Sequence, residues 1–186
     1  MRKNCTRSVL SGRSATLLGV LLVGAVSSGS VIGDEVDGYQ EAKFGMSPSE
    51  VVNTFEDDGV TKTQRTETDN GDLIIDGYHY FAGEEETGLR YVFPQGSDGL
   101  ALVVEFFPSV DLVGPVQGRL TGRYGDPWSQ EMADWWLDQL RSTMPADVQE
   151  LYVWGPELSD GKEQFVRLWV FEDYLSVEYL DLERLR

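Results

Sequence analysis

The run LALVVEFF, Leu100 to Phe107, is the most hydrophobic strand-like stretch in the sequence. A near-continuous apolar run of this length reads as a strand covered on both faces, which places it at the centre of a sheet. Two further strands precede it. LIIDGYHYF (Leu73 to Phe81) is rich in β-branched and aromatic residues, and LRYVF (Leu89 to Phe93) alternates apolar with other side chains. GEEETG (Gly83 to Gly88) reads as the hairpin loop between them, and Pro94 to Gly99 as the turn into the central strand. Thr61 to Asp72, upstream, is a polar connection.

Downstream the period changes. Leu112, Val113, Val116, Leu120 and Tyr124 recur at three- and four-residue steps, so Val110 to Tyr124 reads as a helix with Pro115 near its first turn. YGDP (Tyr124 to Pro127) stops it. A further helix is expected over Ser129 to Thr143, with Ala133, Trp136, Leu137, Leu140 and Met144 on one face. Three strands close the chain: Val148 to Trp154, Gln164 to Phe171 and Tyr174 to Leu180.

The first helix is set by FGMSPSEV (Phe44 to Val51). Ser47 is an N-cap, Pro48 takes the first helical position and Glu50 the third, which makes a capping box. Met46 and Val51 are placed to pack as a hydrophobic staple. Every residue type here serves the helix start. No chemistry is left over.

In order, the elements are a helix, three strands, a helix with an extra helix, and three strands. The expected fold is α+β: an antiparallel sheet of about six strands with helices packed on one face. It would consist of two helix–three-strand units of about 65 residues, near 44–108 and 109–186, in a single domain over 44–186. Residues 34–43 are expected to be a flexible leader.

Gly45, Met46, Ser47, Glu50 and Val51 resemble the G-M-[ST]-x-x-E-V helix start of bacterial envelope proteins of the SmpA/OmlA type. That resemblance implies a helix packed on a small antiparallel sheet. The tandem element order is similar to that of the β-lactamase inhibitor protein, with RLTGRYGDP (Arg119 to Pro127) as the second-unit counterpart. This sequence lacks the acylated cysteine of the assembly lipoproteins and the cysteines of the inhibitor.

The first 33 residues read as a secretory signal peptide. Arg2, Lys3, Arg7 and Arg13 precede the apolar run Ala15 to Val26, and small residues follow from Ser27 to Gly33. An uncleaved anchor is the alternative, although the short apolar centre with its Gly and Ser content argues against a stable span. Cys5, the single cysteine, lies in the positive region, so the mature chain has no thiol for disulfide, zinc ligation or nucleophilic attack. Localisation is expected to be secreted or periplasmic.

Net charge is −17, and loss of the four basic signal residues leaves −21. Such a surface repels phosphate backbones and anionic headgroups, so nucleic acid is not an expected partner. It favours solubility, in salt above all, or a cationic partner.

No catalytic constellation emerges, and no cofactor or metal is expected. His79, the one histidine, has no orienting acid or nucleophile in its sequence neighbourhood and reads as packing or surface. Glu84, Glu85 and Glu86 form a solvated run. TDNGD (Thr68 to Asp72) is rich in oxygen but lacks the spacing of a calcium loop, and reads as a turn. Phosphate loops and nucleophile elbows are absent. Among five tryptophans, Trp136 and one of Trp154 or Trp169 are assigned to the core. Trp128 and Trp135 are the binding candidates, suited to a protein or glycan if exposed and otherwise covering a loop or joining the core. The expected function is non-catalytic binding of a protein partner in the envelope. A carboxylate-based hydrolase and a carbohydrate-binding module are the alternatives.

Overall fold

The computed structural model describes residues 33–82, 85–97, 99–140, 147–156 and 163–186. The expected signal segment up to Ile32, Glu84, and the end of the third expected helix lie outside them. In chain order, a ribbon of β1 (Gly38–Tyr39) and β2 (Ala42–Lys43) leads into helix α1 (Pro48–Thr54). Strands β3 (Thr61–Glu67), β4 (Leu73–Phe81), β5 (Glu85–Phe93) and β6 (Leu102–Phe107) follow. After a 3-10 turn at Val110–Leu112 come α2 (Val113–Tyr124), α3 (Gln130–Leu140), β7 (Glu150–Trp154), β8 (Gln164–Val170) and β9 (Leu175–Asp181).

The fold is α+β, and β6 is the central strand. Seven antiparallel strands run in the order β3-β4-β5-β6-β9-β8-β7. Two meanders, β3 to β6 and β7 to β9, are thus joined edge to edge through β6 and β9, with Val103 opposite Tyr179 and Glu105 opposite Val177. The six strands expected become seven because Thr61 to Glu67 pairs with β4. Every residue of that edge strand is exposed, so it carries no apolar alternation. The expected loop GEEETG is shorter than predicted, since Glu85 to Gly88 already belong to β5.

One face of the sheet carries the larger core. Val51 of α1, Phe55 at its C-terminal cap, and Val116, Leu120 and Tyr124 of α2 pack there on Leu89, Tyr91, Val103, Phe107, Leu168 and Val177. Val36, Tyr39 and Ala42 join them, so residues 34–43, expected to be a leader, supply buried side chains.

The helices do not share one face. Ala133 and Leu137 of α3, with Trp136, pack against Leu151, Val153, Phe165 and Trp169, which alternation puts on the other side of the sheet. The sequence shows which face of α3 is apolar but not which layer receives it. Trp154 and Trp169 are both fully buried, one on each side of the sheet. Since α3 lies over the β7–β9 end, the β4–β6 half of that face stays open.

The capping box at α1 is complete. Glu50 N–H donates to Ser47 Oγ, and Ser47 N–H donates to the Glu50 carboxylate at 2.7 Å. Val51 and Met46 enter the same core cluster.

Candidate functional site

Two arrangements concentrate polar chemistry in this fold, and they lie on opposite faces of β6. The first is buried. Glu105 points from the middle of the central strand into the larger core and is fully inaccessible. Its Oε1 accepts from Arg119 Nη1 of α2 at 3.0 Å and from Tyr39 Oη at 3.2 Å. Its Oε2 accepts from Arg119 Nη2 and from Tyr179 Oη of β9 at 3.0 Å. His79 Nε2 of β4 is 3.3 Å from Oε1, an ion-pair distance outside hydrogen-bond geometry. Gln40, held at a φ of 50°, donates to Tyr39 Oη at 2.8 Å. Arg119 also lies over the rings of Phe81 and Phe107.

Burial alone would raise the Glu105 carboxyl, but the Arg119 charge, together with His79 and the Arg119 hydrogen bonds, holds it at about 2. Burial and the neighbouring Glu105 charge push the Tyr39 and Tyr179 hydroxyls well above their usual range. The carboxylate is therefore ionised, saturated with donors and sealed. A cavity of about 120 Å³ reaches Tyr39, Arg119 and Tyr179 but neither Glu105 nor His79. A general base must reach the proton it removes; this one reaches only its own scaffold. The cluster ties the ribbon, α2 and three strands to one anion.

The second arrangement is the open half-face. Residues paired across neighbouring strands share a side of the sheet, so the registers define rows. One row runs Tyr78, Gly88, Phe106, Ser176. The next runs Asp76, Arg90, Val104, Glu178, Arg167. Tyr78 and Phe106 are 41% and 39% exposed, and Tyr80 is 55% exposed. A cavity of about 490 Å³ lies over Tyr78, Gly88, Arg90, Phe106 and Tyr174. A second, of about 330 Å³, continues it over Val92, Val104, Trp169 and Phe171, with Arg90, Phe106 and Tyr174 common to both.

Charges on this groove are paired. Arg90 Nε donates to Asp76 Oδ1 at 2.7 Å, Lys62 pairs with Glu86, and Arg167 pairs with Glu178 at 2.7 Å. Lys62 reaches Glu86 from a β-bulge, where the register shifts between Thr61 and Gln64 and Lys62 takes a φ of 52°. Its ammonium lies 5.4 Å from the Tyr78 ring centroid. A non-glycine residue at such a φ is strained, and bulges re-aim side chains. The strain is placed at the rim of the groove.

Two neighbouring glycines differ in what they do. A Cβ on Gly77 would meet Val60 Cγ1 at 2.7 Å, so close packing requires that glycine. A Cβ on Gly88 would find Phe106 Cβ at 3.6 Å and Phe106 Cδ2 at 3.8 Å, ordinary contacts, and Gly88 has no positive φ, so the edge of the Phe106 ring lies against this glycine. Glycine inside a strand costs about 0.5–1 kcal/mol relative to alanine. At Gly88 the cross-strand Phe106 ring edge covers the glycine and offsets part of that cost.

The tryptophans expected to bind occupy different environments. Trp128 stacks on Trp136 with ring centroids 5.4 Å apart, meets Phe165 edge-on, and donates Nε1–H to Gly155 O at 3.1 Å. Trp135 is 57% exposed on α3. TDNGD forms a turn closed by Thr68 N–H to Asp72 O, and no group of three or more His, Cys, Asp or Glu among the described residues is arranged to hold a metal. Among the described residues no helix is long and apolar enough to cross a membrane.

No protein-family model, curated protein or solved structure matches this chain. The residues that sequence reasoning missed are Gly88 and Phe106 on the groove and Glu105 and Arg119 in the core. The signal for the groove was a cross-strand register, which no single stretch contains.

Proposed function

We propose that this chain is a secreted or periplasmic, non-catalytic domain that binds another protein through the open half-face of its sheet. The observation carrying this reading is the asymmetric cover. Helix α3 packs over β7–β9 and leaves Tyr78, Tyr80 and Phe106 exposed around a continuous groove. Exposed aromatic residues around a concavity are the usual anchors of protein recognition. The sealed state of Glu105 supports a non-catalytic role. The basic and apolar order of the first 33 residues, and the resemblance of Gly45 to Val51 to envelope proteins, support the location.

A photo-crosslinking residue placed at position 80 or 106 should give the same partner adduct from envelope extract, and position 52 on α1 should give none. Adducts independent of position would refute the proposal. An adduct from position 135 alone would move the function to α3 and the exposed Trp135.

A further inference from the structure

We infer that β3 is the seam of a homodimer, its free edge pairing antiparallel with β3 of a second copy about a two-fold axis at Thr66. This inference is independent of the partner-binding role proposed above. A sheet edge offers unpaired backbone groups to any strand that fits them. Every residue of β3 is exposed, and among the described residues only β4 pairs with it. The usable edge is short. The bulge between Thr61 and Gln64 ends it on one side, and the Thr68–Asp72 turn ends it on the other.

Hydrogen-bond phase limits the registers. Thr68 N–H donates to Asp72 O at 2.9 Å, and bonded pairs alternate along an antiparallel ladder. Thr66 and Gln64 therefore bond to Ile74 and Asp76, whereas Arg65 and Glu67 turn their N–H and C=O to the free edge. A second β3 can bond only through that outward set. Arg65 opposite Arg65, or Glu67 opposite Glu67, would set like charges directly across the seam. Moving Arg65 opposite Thr63 would run into the bulge. Arg65 opposite Glu67 sets opposite charges on each side of the axis, with Thr66 facing Thr66 between them.

The charges of the molecule fit that register. Every other lysine and arginine among the described residues is paired with a carboxylate. Arg65 alone is not, although the chain carries 32 acidic residues against 15 basic ones. Glu67 has no ion pair among the described residues either. A chain of net charge −17 repels its own copies, so a dimer needs attraction at the contact itself. Opposed residues of an antiparallel pair have Cβ atoms about 5 Å apart, within reach of an Arg–Glu pair. The axis stands normal to the sheet. The open half-faces of both copies therefore lie on one side of a continuous sheet.

The first test is a disulfide trap in the full chain carrying Cys5→Ser, which removes the only cysteine. Facing Thr66 residues would have Cα atoms about 4.5 Å apart, within disulfide reach. Oxidised Thr66→Cys should run as a covalent dimer. Gln64→Cys, whose copies would stand more than about 10 Å apart, should stay monomeric. Sedimentation equilibrium of the full chain then reads the charge pairing. Arg65→Glu and Glu67→Arg should each weaken self-association at least about tenfold, since each sets like charges across the seam. An equimolar mixture of the two variants should regain it, as should the double variant, because both restore opposite charges. Both side chains are exposed, so melting temperatures should stay level. A monomer at every concentration, equal trapping from positions 64 and 66, or association indifferent to both reversals would overturn the proposal. So would weakening by the single reversals with no recovery in the mixture.

Discussion

Arg119 of α2 meets Glu105 of β6 through both guanidinium Nη atoms, 14 residues apart in sequence and on elements that touch nowhere else by charge. One partner is fully buried and the other mostly so. Removing one member of such a pair leaves a buried charge uncompensated, which costs about 3–5 kcal/mol. Arg119→Met and Glu105→Gln should each lose stability in that range in urea unfolding. The double variant should lose less than the sum of the two, because the second substitution removes the charge that the first left stranded. Additive losses would show that the two side chains act independently.

The same carboxylate sets an acid limit. Its folded value of about 2 lies below the ordinary 4.5, so on acidification the unfolded chain takes up the proton first. The stabilisation is complete above about pH 4.5 and is lost as pH falls toward about 2. Asp58, pushed up by burial, works in the opposite sense. In the alkaline range burial raises Tyr124 to about 12, and Tyr39 and Tyr179 are raised as well. These groups hold their protons more tightly when folded, so stability should fall as pH rises above 10. Urea midpoints measured against pH should show both flanks, and Glu105→Gln should flatten the acid one. An unchanged acid flank in that variant would assign it to other carboxylates.

How much of this was legible follows the range of each interaction. The centre of the sheet was readable because LALVVEFF is the most apolar strand-like run, although its second face proves to stay open at Phe106 instead of covered as expected, and the start of α1 because Ser47, Pro48 and Glu50 act within one turn. Strand β3 was not, since an edge strand exposed along its length has nothing apolar to alternate. The ribbon before α1 looked polar, yet Tyr39 is held by a carboxylate 66 residues away. The one acidic residue inside the most apolar strand was the available sign of a buried pair. The layer chosen by α3, and the row Tyr78, Gly88, Phe106, depend on pairing between distant strands, and local pattern does not encode them.

Helix α1 offers a local measure of stability. Ser47 Oγ accepts from the Glu50 amide and the Glu50 carboxylate closes the box, and the two Ser47 hydrogen bonds hold the Glu50 carboxyl below its ordinary value. Ser47→Ala should cost about 1 kcal/mol, as N-cap losses do. Crosslinking from position 106 should persist in the folded fraction of this variant, because the cap lies on the face away from the groove. A larger cost would mean that the cap also organises the ribbon before it.

Trp128 and Trp135 should separate packing from recognition. Trp128 is stacked, edge-packed and hydrogen-bonded within the smaller core, so Trp128→Ala should cost about 3 kcal/mol or more. Trp135 stands mostly in solvent, so Trp135→Ala should stay within about 0.5 kcal/mol of the parent. Iodide quenching gives an independent check, since Trp154 and Trp169 are inaccessible and Trp135 supplies the exposed fluorescence. That quenchable fraction should drop in Trp135→Ala. Crosslinking from position 106 in the same variant then decides what the exposed indole does. Undiminished capture keeps recognition on the β4–β6 face, whereas loss of capture at unchanged stability makes α3 part of the binding surface.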